Sequence, residues 1–221
     1  MKITKLINKI KEPTYALLDS KRCKNMRGKK VFLDCGSNLG QGVSWFKKFF
    51  FGPDYNFELF EPNPSCWKYL EQICNENPEQ FNLNKVGVGC ADTKMKFYGL
   101  SVDEGGITSQ GGSLLKHHNS VYYNAKDSNA VSVQLVDFKK ILRSCSERYS
   151  CIIVKMDIEG YEIELLRDLV RNNCAHFINF LYVEFHSQYR KPDERKLIRR
   201  QEINIINELK DMTNMYIRTW H

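Results

Sequence analysis

The sequence predicts an α/β fold with a mostly parallel, Rossmann-like sheet and helices on both of its faces. From residue 30 onward, apolar runs of strand length alternate with helical patterns, which is typical of a parallel sheet built from β-α-β units. The chain has 221 residues, of which 42% are hydrophobic, enough for the core of one such domain. Several apolar runs end in glycine or charged residues, and open parallel sheets bind their ligands beyond such strand ends.

The predicted strands are short apolar runs bounded by glycine, proline or polar residues. In chain order they are VFLDCG, NFELFEPNP, FNLNKVGVGCAD, KMKFYGL, VSVQL, IIVKM, NFLYVEFH and MYIRTW. The predicted helices are QGVSWFKKFF, SCWKYLEQICNEN, the residues that follow VSVQLVD, YEIELLRDLVRNN and a long helix near residues 193–212. The helical spacing is clear in SCWKYLEQICNEN, where Trp67, Leu70 and Ile73 lie on one face.

Residues 1–29 are interpreted as a basic helical arm on a domain that spans residues 30–221. The arm begins with apolar residues at helical spacing, Ile3, Leu6, Ile7 and Ile10, with lysines between them. Pro13 is predicted to end this helix, and a short second helix is predicted over residues 14–23. We expect the arm to cover the sheet, and binding to an acidic membrane stays an alternative.

The basic charge of the chain is concentrated in this arm. Residues 1–30 contain ten Lys or Arg and two acids, a net charge of +8, whereas the other 191 residues have a net charge of −1. Because the domain itself is nearly neutral, the charge argues against nucleic acid as its partner.

The eight cysteines show no Cys-x-x-Cys spacing, which argues against a zinc site or a thioredoxin-like motif. Several lie in apolar runs, where a thiol acts as a small hydrophobe. The N-terminus lacks the apolar segment and cleavage site of a signal peptide, and no stretch approaches the roughly 18 apolar residues of a membrane span. We therefore expect a reduced, cytoplasmic protein.

Two strand ends predict a nucleoside-binding site. The first strand leads into DCGSNLGQG, where Gly36 and Gly40 let the backbone turn sharply and approach a ligand. The second ends in FEPNP, where Glu61 is placed to bind two ribose hydroxyls. The glycine spacing departs from that of dinucleotide sites, and Asp34 favours a cofactor with an ammonium group over one with phosphates. S-adenosylmethionine has an ammonium group and a ribose but no phosphate, so it is the predicted cofactor.

Charged groups at two further strand ends predict the catalytic site. Lys155 and Asp157 are two positions apart at the end of the strand IIVKM, so their side chains project to the same side. Glu184 and His186 have the same spacing in YVEFH. We interpret Asp157 as the group that binds or deprotonates an acceptor hydroxyl, with His186 as the alternative base and Lys155 as the cation that keeps Asp157 ionised. Glu159 either joins this site or only offsets the dipole of the next helix. A divalent metal ion held by Asp157, Glu184 and His186 stays an alternative.

Residues 101–130 are polar and contain several glycines, with no clear period. A structureless segment of this length in a compact domain is usually a lid or a binding loop. We expect it to contribute to the acceptor pocket, with the pair His117–His118, Tyr122 and Tyr123 as contacts.

The segments FLDCGSNLG, FEPNP, GGSLL, VKMDIEGYEIELL and YVEFH resemble, in this order, the motifs of FkbM-type methyltransferases over roughly residues 30–187. The Lys-x-Asp-x-Glu-Gly-x-Glu block is the most specific of them. The resemblance implies a class I S-adenosylmethionine-dependent methyltransferase that methylates a hydroxyl of a sugar, a glycan or another small molecule. It also implies cofactor contacts by Asp34, Gly36, Asn38, Gly40, Glu61 and Asp92. That fold class ends in a reversed hairpin of two strands, of which the sequence shows only MYIRTW.

The sequence disfavours three other functions. An RNA 2′-O-methyltransferase would need a lysine between Ile158 and Glu184, and there is none. A nicotinamide-binding oxidoreductase is disfavoured by the broken glycine pattern and by Asp34. A non-catalytic binding module would have no reason to gather four charged groups at one edge of a sheet. The acceptor and the oligomeric state stay open.

Overall fold

The protein is an α/β domain with two sheets, and the computed structural model describes residues 2–99, 112–118 and 130–220, with the backbone alone for residues 2–10. The strands are β1 (Lys30–Cys35), β2 (Tyr55–Phe60), β3 (Phe81–Asn84), β4 (Gly87–Gly89), β5 (Thr93–Phe97), β6 (Val131–Asp137), β7 (Cys151–Met156), β8 (Phe180–Val183) and β9 (Tyr216–Thr219). The helices are α1 (Lys2–Asn25), α2 (Gln41–Phe46), α3 (Pro64–Glu76), α4 (Phe138–Arg148), α5 (Glu162–Arg171) and α6 (Pro192–Met212).

The main sheet has the strand order β3-β2-β1-β7-β8-β9, and every neighbouring pair in it is parallel. The predicted mostly parallel, Rossmann-like α/β fold is therefore confirmed. β7 lies beside β1, with Lys155 opposite Asp34. β9 joins the edge parallel to β8, so it is not half of a reversed hairpin among the described residues.

The predicted strand FNLNKVGVGCAD is wrong as one element, because it divides between the two sheets. Its first part is β3 in the main sheet, and its second part is β4, which pairs with β6 in a small sheet of order β4-β6-β5. Gly87 and Gly89 explain the division, because a Cβ on either would lie within 3 Å of the Leu135 side chain. These glycines let β6 approach β4 closely, and β5 then pairs with β6 in the antiparallel direction.

The predicted end of the first helix at Pro13 is also wrong, since α1 continues through this residue to Asn25. A proline removes one backbone donor and bends a helix, but it does not force an end where packing holds the following turns. Such packing is present here, because Ala16 and Cys23 are fully buried in the core.

The main sheet is buried on both faces, as its apolar strands require. One face packs against α4, α5 and α6, for example through Leu142, Leu166 and Leu209. The other packs against α1, α2 and α3, where Phe46 and Leu70 are fully buried. None of the helices in the described ranges combines the length and apolar character needed to cross a bilayer.

An ion-pair network holds α1 to the edge of the main sheet. The fully buried Asp19 carboxylate accepts a hydrogen bond from the Tyr182 hydroxyl at 2.9 Å and two from the Arg218 guanidinium, each at 2.9 Å. Nearby, the Ser20 hydroxyl donates to the carbonyl oxygen of Phe49 at 2.7 Å. The second half of α1 thus packs on the domain, while the division of the chain at residue 29 stays a prediction.

Replacing Asp19 with alanine should lower the free energy of unfolding by about 3 kcal/mol, because Tyr182 and Arg218 lose a buried partner. Urea unfolding followed by circular dichroism measures this change. Asp54→Ala is the matched control, since Asp54 is largely exposed and lies 3.5 Å from Lys30, and it should cost less than about 1 kcal/mol. Equal losses in the two variants would contradict the role given to Asp19.

Candidate active site

The carboxyl ends of β1, β2 and β7 open into one cavity, which the small sheet and residues 112–118 border from the other side. Its lining includes Gly36, Asn38, Glu61, Leu114, Asp157 and Glu159. Five of these six follow a strand of the main sheet, because parallel strands bring their carboxyl ends to a common edge. The cavity therefore joins the two sites that the sequence predicted separately.

Glu61 lies at the end of β2 with both carboxylate oxygens held in place. One accepts the backbone N–H of Asn38 and the other that of Asn63, each at 2.8 Å. Burial raises the pKa of Glu61 to about 7, although these two amide groups favour the charged form. Each oxygen retains a further lone pair, so the carboxylate can accept two more hydrogen bonds from a ligand.

The turn after β1 brings the chain close to the end of β7. Gly36 has φ 80°, and a Cβ there would overlap the carbonyl oxygen of Asp157. Gly40, with φ 86°, begins α2, and Asn38 also has a positive φ, of 48°. Gly36 and Asn38 line the cavity, whereas Gly40 is buried behind them.

Asp34 is a partner of Lys155 and does not reach the cavity. It is fully buried, and its Oδ1 lies 3.2 Å from Lys155 Nζ, which also donates to the carbonyl oxygen of Gly36 at 2.7 Å. The prediction that Asp34 attracts the ammonium group of a cofactor is therefore not supported. The reason is the strand register, which places Asp34 directly opposite Lys155 and supplies a cation from the protein itself.

Lys155 also contacts Asp157, with 3.3 Å between Nζ and Oδ2, as the alternation along β7 predicted. Burial disfavours the charge on Lys155, but the carboxylates of Asp34 and Asp157 outweigh burial and raise its pKa. Burial likewise raises the pKa of Asp157, but Lys155 and His186 outweigh burial and hold it well below its ordinary value. Asp157 is one quarter exposed and remains a carboxylate facing the cavity.

His186 is nearly buried among carboxylates. Its Nε2 lies 3.4 Å from Asp157 Oδ1 and 3.5 Å from Glu159 Oε2, and its Nδ1 lies 3.1 Å from Glu162 Oε1. Burial disfavours the imidazolium, but Glu162 and Asp157 outweigh burial and raise the pKa of His186 well above its ordinary value. Glu184, Asp157 and His186 each place a ligand atom within 4.8 Å of the others, so the structure brings the predicted polar groups together.

Glu159 and His118 are the functional candidates that the sequence left undecided. Glu159 precedes α5 in a turn with φ 55°, and its Oε2 lies 2.8 Å from Nε2 of the fully buried His118. Ser113 Oγ donates to the Glu159 carbonyl oxygen at 2.6 Å. Glu159 therefore joins the cluster and does not only offset the dipole of α5. The Lys-x-Asp-x-Glu spacing named Glu159, but nothing in the sequence linked it to His118, 41 positions away.

Three further pKa values depend on this environment. Burial raises the pKa of Glu159 to about 7, against an opposing effect of His186. Burial also raises the pKa of Glu184 to about 7, with the Asp157 carboxylate adding to the effect. Burial lowers the pKa of His118 to about 3, and His186 adds to this, so His118 is a neutral imidazole.

Other predicted residues lie elsewhere. Asp92 is exposed, contacts Lys140 Nζ at 2.6 Å and accepts the backbone N–H of Asp137 at 2.8 Å, so it holds the start of α4 and is not brought to the cavity. His117 is exposed, unlike its neighbour His118. Tyr122 and Tyr123, with most of the predicted lid, lie outside the described residues.

Comparison with known proteins gives one family. A family profile described as the methyltransferase FkbM domain matches residues 34–214. The hexuronic acid methyltransferase AglP of Haloferax volcanii is 24% identical over 168 residues, which cover 76% of this chain and 61% of AglP, so the chain spans less than two thirds of that relative. The crystal structure of methyltransferase FkbM from Methylobacillus flagellatus KT aligns with a TM-score of 0.49 at 14% identity, over 83% of this chain and 38% of that one.

Proposed function

Because the chain belongs to the FkbM methyltransferase family, we propose that it transfers a methyl group from S-adenosylmethionine to a hydroxyl group of a sugar. The observation that supports this most directly is that Glu61 and Asp157 line the same cavity. The Glu61 carboxylate, which can bind a ribose, and the Asp157 carboxylate, which can bind an acceptor hydroxyl, thus share one cavity.

The residues of the cavity fit S-adenosylmethionine better than a dinucleotide. Glu61 is held by two amide groups and can accept hydrogen bonds from both ribose hydroxyls. Asp157 and Glu159 add negative charge to the lining, which attracts a sulfonium or an ammonium group and repels a pyrophosphate. Asp157 and Glu159 thus take the role that the sequence gave to Asp34, and their charge also disfavours a nicotinamide cofactor.

When bound, S-adenosylmethionine supplies a methyl group that is activated by the positive charge on its sulfur. The protein must then orient the acceptor hydroxyl, a contribution of up to about 7–11 kcal/mol, and accept its proton. Asp157 is placed for both tasks, because Lys155 and His186 fix its carboxylate from two sides. The acceptor oxygen would form an ether bond to the methyl carbon as the carbon–sulfur bond breaks, and Asp157 would take the proton that the hydroxyl loses. A weak base is sufficient here, because the oxygen becomes strongly acidic as it bonds to carbon.

A sugar is the acceptor class that the similarity to AglP favours. AglP is named as a methyltransferase of hexuronic acids, and a sugar presents several hydroxyls of suitable geometry. The acidic lining disfavours a phosphate-rich acceptor, which supports a glycan over RNA.

Incubation of the protein with methyl-labelled S-adenosylmethionine and a panel of neutral sugars and hexuronic acids tests the proposal. We expect a labelled product that resists mild alkali, because a methyl ether survives treatment that cleaves a methyl ester. Calorimetry should show binding of S-adenosylmethionine and no comparable binding of NAD. An alkali-labile product would contradict a hydroxyl acceptor, and preferential binding of NAD would contradict the function as a whole.

A further inference from the structure

We propose that His118, Glu159 and His186 bind a divalent transition-metal ion beside the acceptor site. These three side chains each offer one ligand atom, and the three atoms lie within 4.8 Å of one another. They come from the segment 112–118, the turn before α5 and the chain after β8, so the fold brings them together from three separate parts of the sequence.

The spacing of the ligand atoms fits a shared ion. Glu159 Oε2 lies 2.8 Å from His118 Nε2 and 3.5 Å from His186 Nε2. Atoms bound to one ion at about 2.1 Å, with angles between those of an octahedron and a tetrahedron, lie about 3.0–3.4 Å apart. The two distances to Glu159 bracket this range, and the two histidine nitrogens lie within 4.8 Å of each other, so binding would require the imidazoles to move only slightly closer.

The surroundings also hold the ligands in the orientation that a metal requires. Glu162 is almost completely buried and its Oε1 lies 3.1 Å from His186 Nδ1, a position that favours a proton on Nδ1 and leaves Nε2 to bind an ion. The same Glu162 oxygen accepts the backbone N–H groups of Ile158 and Gly160, which fixes the turn that contains Glu159. Partners of this kind are typical of histidines that bind metals.

The charge of the cluster favours a cation. Glu162 and Glu184 both lie near Glu159, and among the described residues the ion-pair contacts of Glu159 and Glu162 are with imidazoles. Lys155 contacts the other two acids, Asp34 and Asp157. A divalent ion would offset this excess of negative charge and bind both imidazoles in their neutral form.

Two imidazoles and one carboxylate suit Mn²⁺, Fe²⁺, Co²⁺ or Zn²⁺ better than Mg²⁺ or Ca²⁺, which prefer oxygen ligands alone. The overlapping set Asp157, Glu184 and His186 is the alternative position. We favour the first set because it offers two nitrogen ligands and because Asp157 already contacts Lys155. An ion at the first set would lie next to Asp157, where it would help to position an acceptor oxygen; this role rests on the proposed function, whereas the binding itself does not.

Titration of chelator-treated, untagged protein with Co²⁺ tests the site without cofactor or acceptor present. We expect one ion per chain by calorimetry and the visible absorption bands of Co²⁺ in a nitrogen and oxygen site. His118→Ala and His186→Ala should each weaken binding by at least about 10-fold. His117→Ala and His176→Ala are matched controls, since both side chains are exposed, and they should leave binding unchanged.

The unmodified protein gives a second readout that does not depend on the folding of variants. Bound Co²⁺ should shift the imidazole NMR signals of two histidines strongly and those of His117 and His176 little. Absence of stoichiometric Co²⁺ binding would overturn the proposal. Binding that survives His118→Ala but is abolished by Glu184→Gln would also overturn it, because the ion would then lie at Asp157, Glu184 and His186. Methylation at an unchanged rate in protein that binds no ion would contradict the metal site and leave the proposed function standing.

Discussion

Replacing Asp157 with asparagine should lower methyl transfer by about 100-fold or more while the protein folds and binds S-adenosylmethionine nearly as well as before. Asparagine keeps the shape of the side chain but removes its charge and its ability to accept the hydroxyl proton. Because both functions act during the transfer itself, kcat and kcat/KM should fall together. Folding should survive, since Lys155 retains Asp34 at 3.2 Å and the carbonyl oxygen of Gly36 at 2.7 Å.

Steady-state kinetics with labelled cofactor, together with calorimetry, separates these effects. Glu164→Gln is a matched control, because Glu164 is an exposed acid in the first turn of α5 and should leave turnover unchanged. Turnover close to normal in the Asp157 variant would show that this carboxylate only supports the ion pair with Lys155, and Glu184 and His186 would then become the groups to test.

Replacing Glu61 with alanine should weaken binding of S-adenosylmethionine by about 10- to 100-fold. The loss corresponds to a charged hydrogen-bond pair worth about 1.5–3 kcal/mol. Calorimetry measures it directly, and thermal unfolding checks that the amide groups of Asn38 and Asn63 tolerate the loss of their acceptor. Glu58→Ala is the control, since Glu58 lies on the same strand and bonds instead to Asn82 and Asn84. Equal affinities in the two variants would remove Glu61 from the cofactor site.

The pH dependence of cofactor binding gives an independent check on the same residue. Burial raises the pKa of Glu61 to about 7, against the opposing hydrogen bonds from the backbone amides of Asn63 and Asn38. The carboxylate form accepts hydrogen bonds from both ribose hydroxyls, and protonation removes part of this capacity. Affinity should therefore be highest above pH 7 and fall as the pH drops through this value, and the fall should be absent in Glu61→Ala. A flat profile in the unmodified protein would contradict the assignment.

Much of the site was predictable because parallel strands gather their carboxyl ends. The sequence placed Glu61 after β2, Asp157 after β7 and His186 after β8 without any knowledge of their contacts. The alternation of side chains along a strand was sufficient to pair Lys155 with Asp157.

The contacts of Asp34 and His118 could not be predicted, because no local pattern contains them. Asp34 meets Lys155 through strand register, a property of two segments about 120 residues apart. His118 reaches Glu159 because Gly160 leaves space, since a Cβ there would lie 2.5 Å from His118 Nδ1. The path of α1 through Pro13 likewise depends on packing against the sheet, which outweighs the local preference to end a helix.

The link between Asp19 and Arg218 has a consequence for the order in which the domain assembles during synthesis. The two residues are 199 positions apart, so α1 leaves the ribosome long before the arginine that neutralises its buried acid. Until β9 pairs with β8, docking α1 would bury Asp19 with the Arg22 guanidinium of its own helix and the Tyr182 hydroxyl as partners but without the two hydrogen bonds from Arg218, which weakens the docking. The helix therefore gains its full docking stability only once the sheet is complete. A chain interrupted before residue 218 would leave the apolar side of α1 exposed. Chaperones and proteases recognise exposed apolar surface of this kind in incompletely folded proteins.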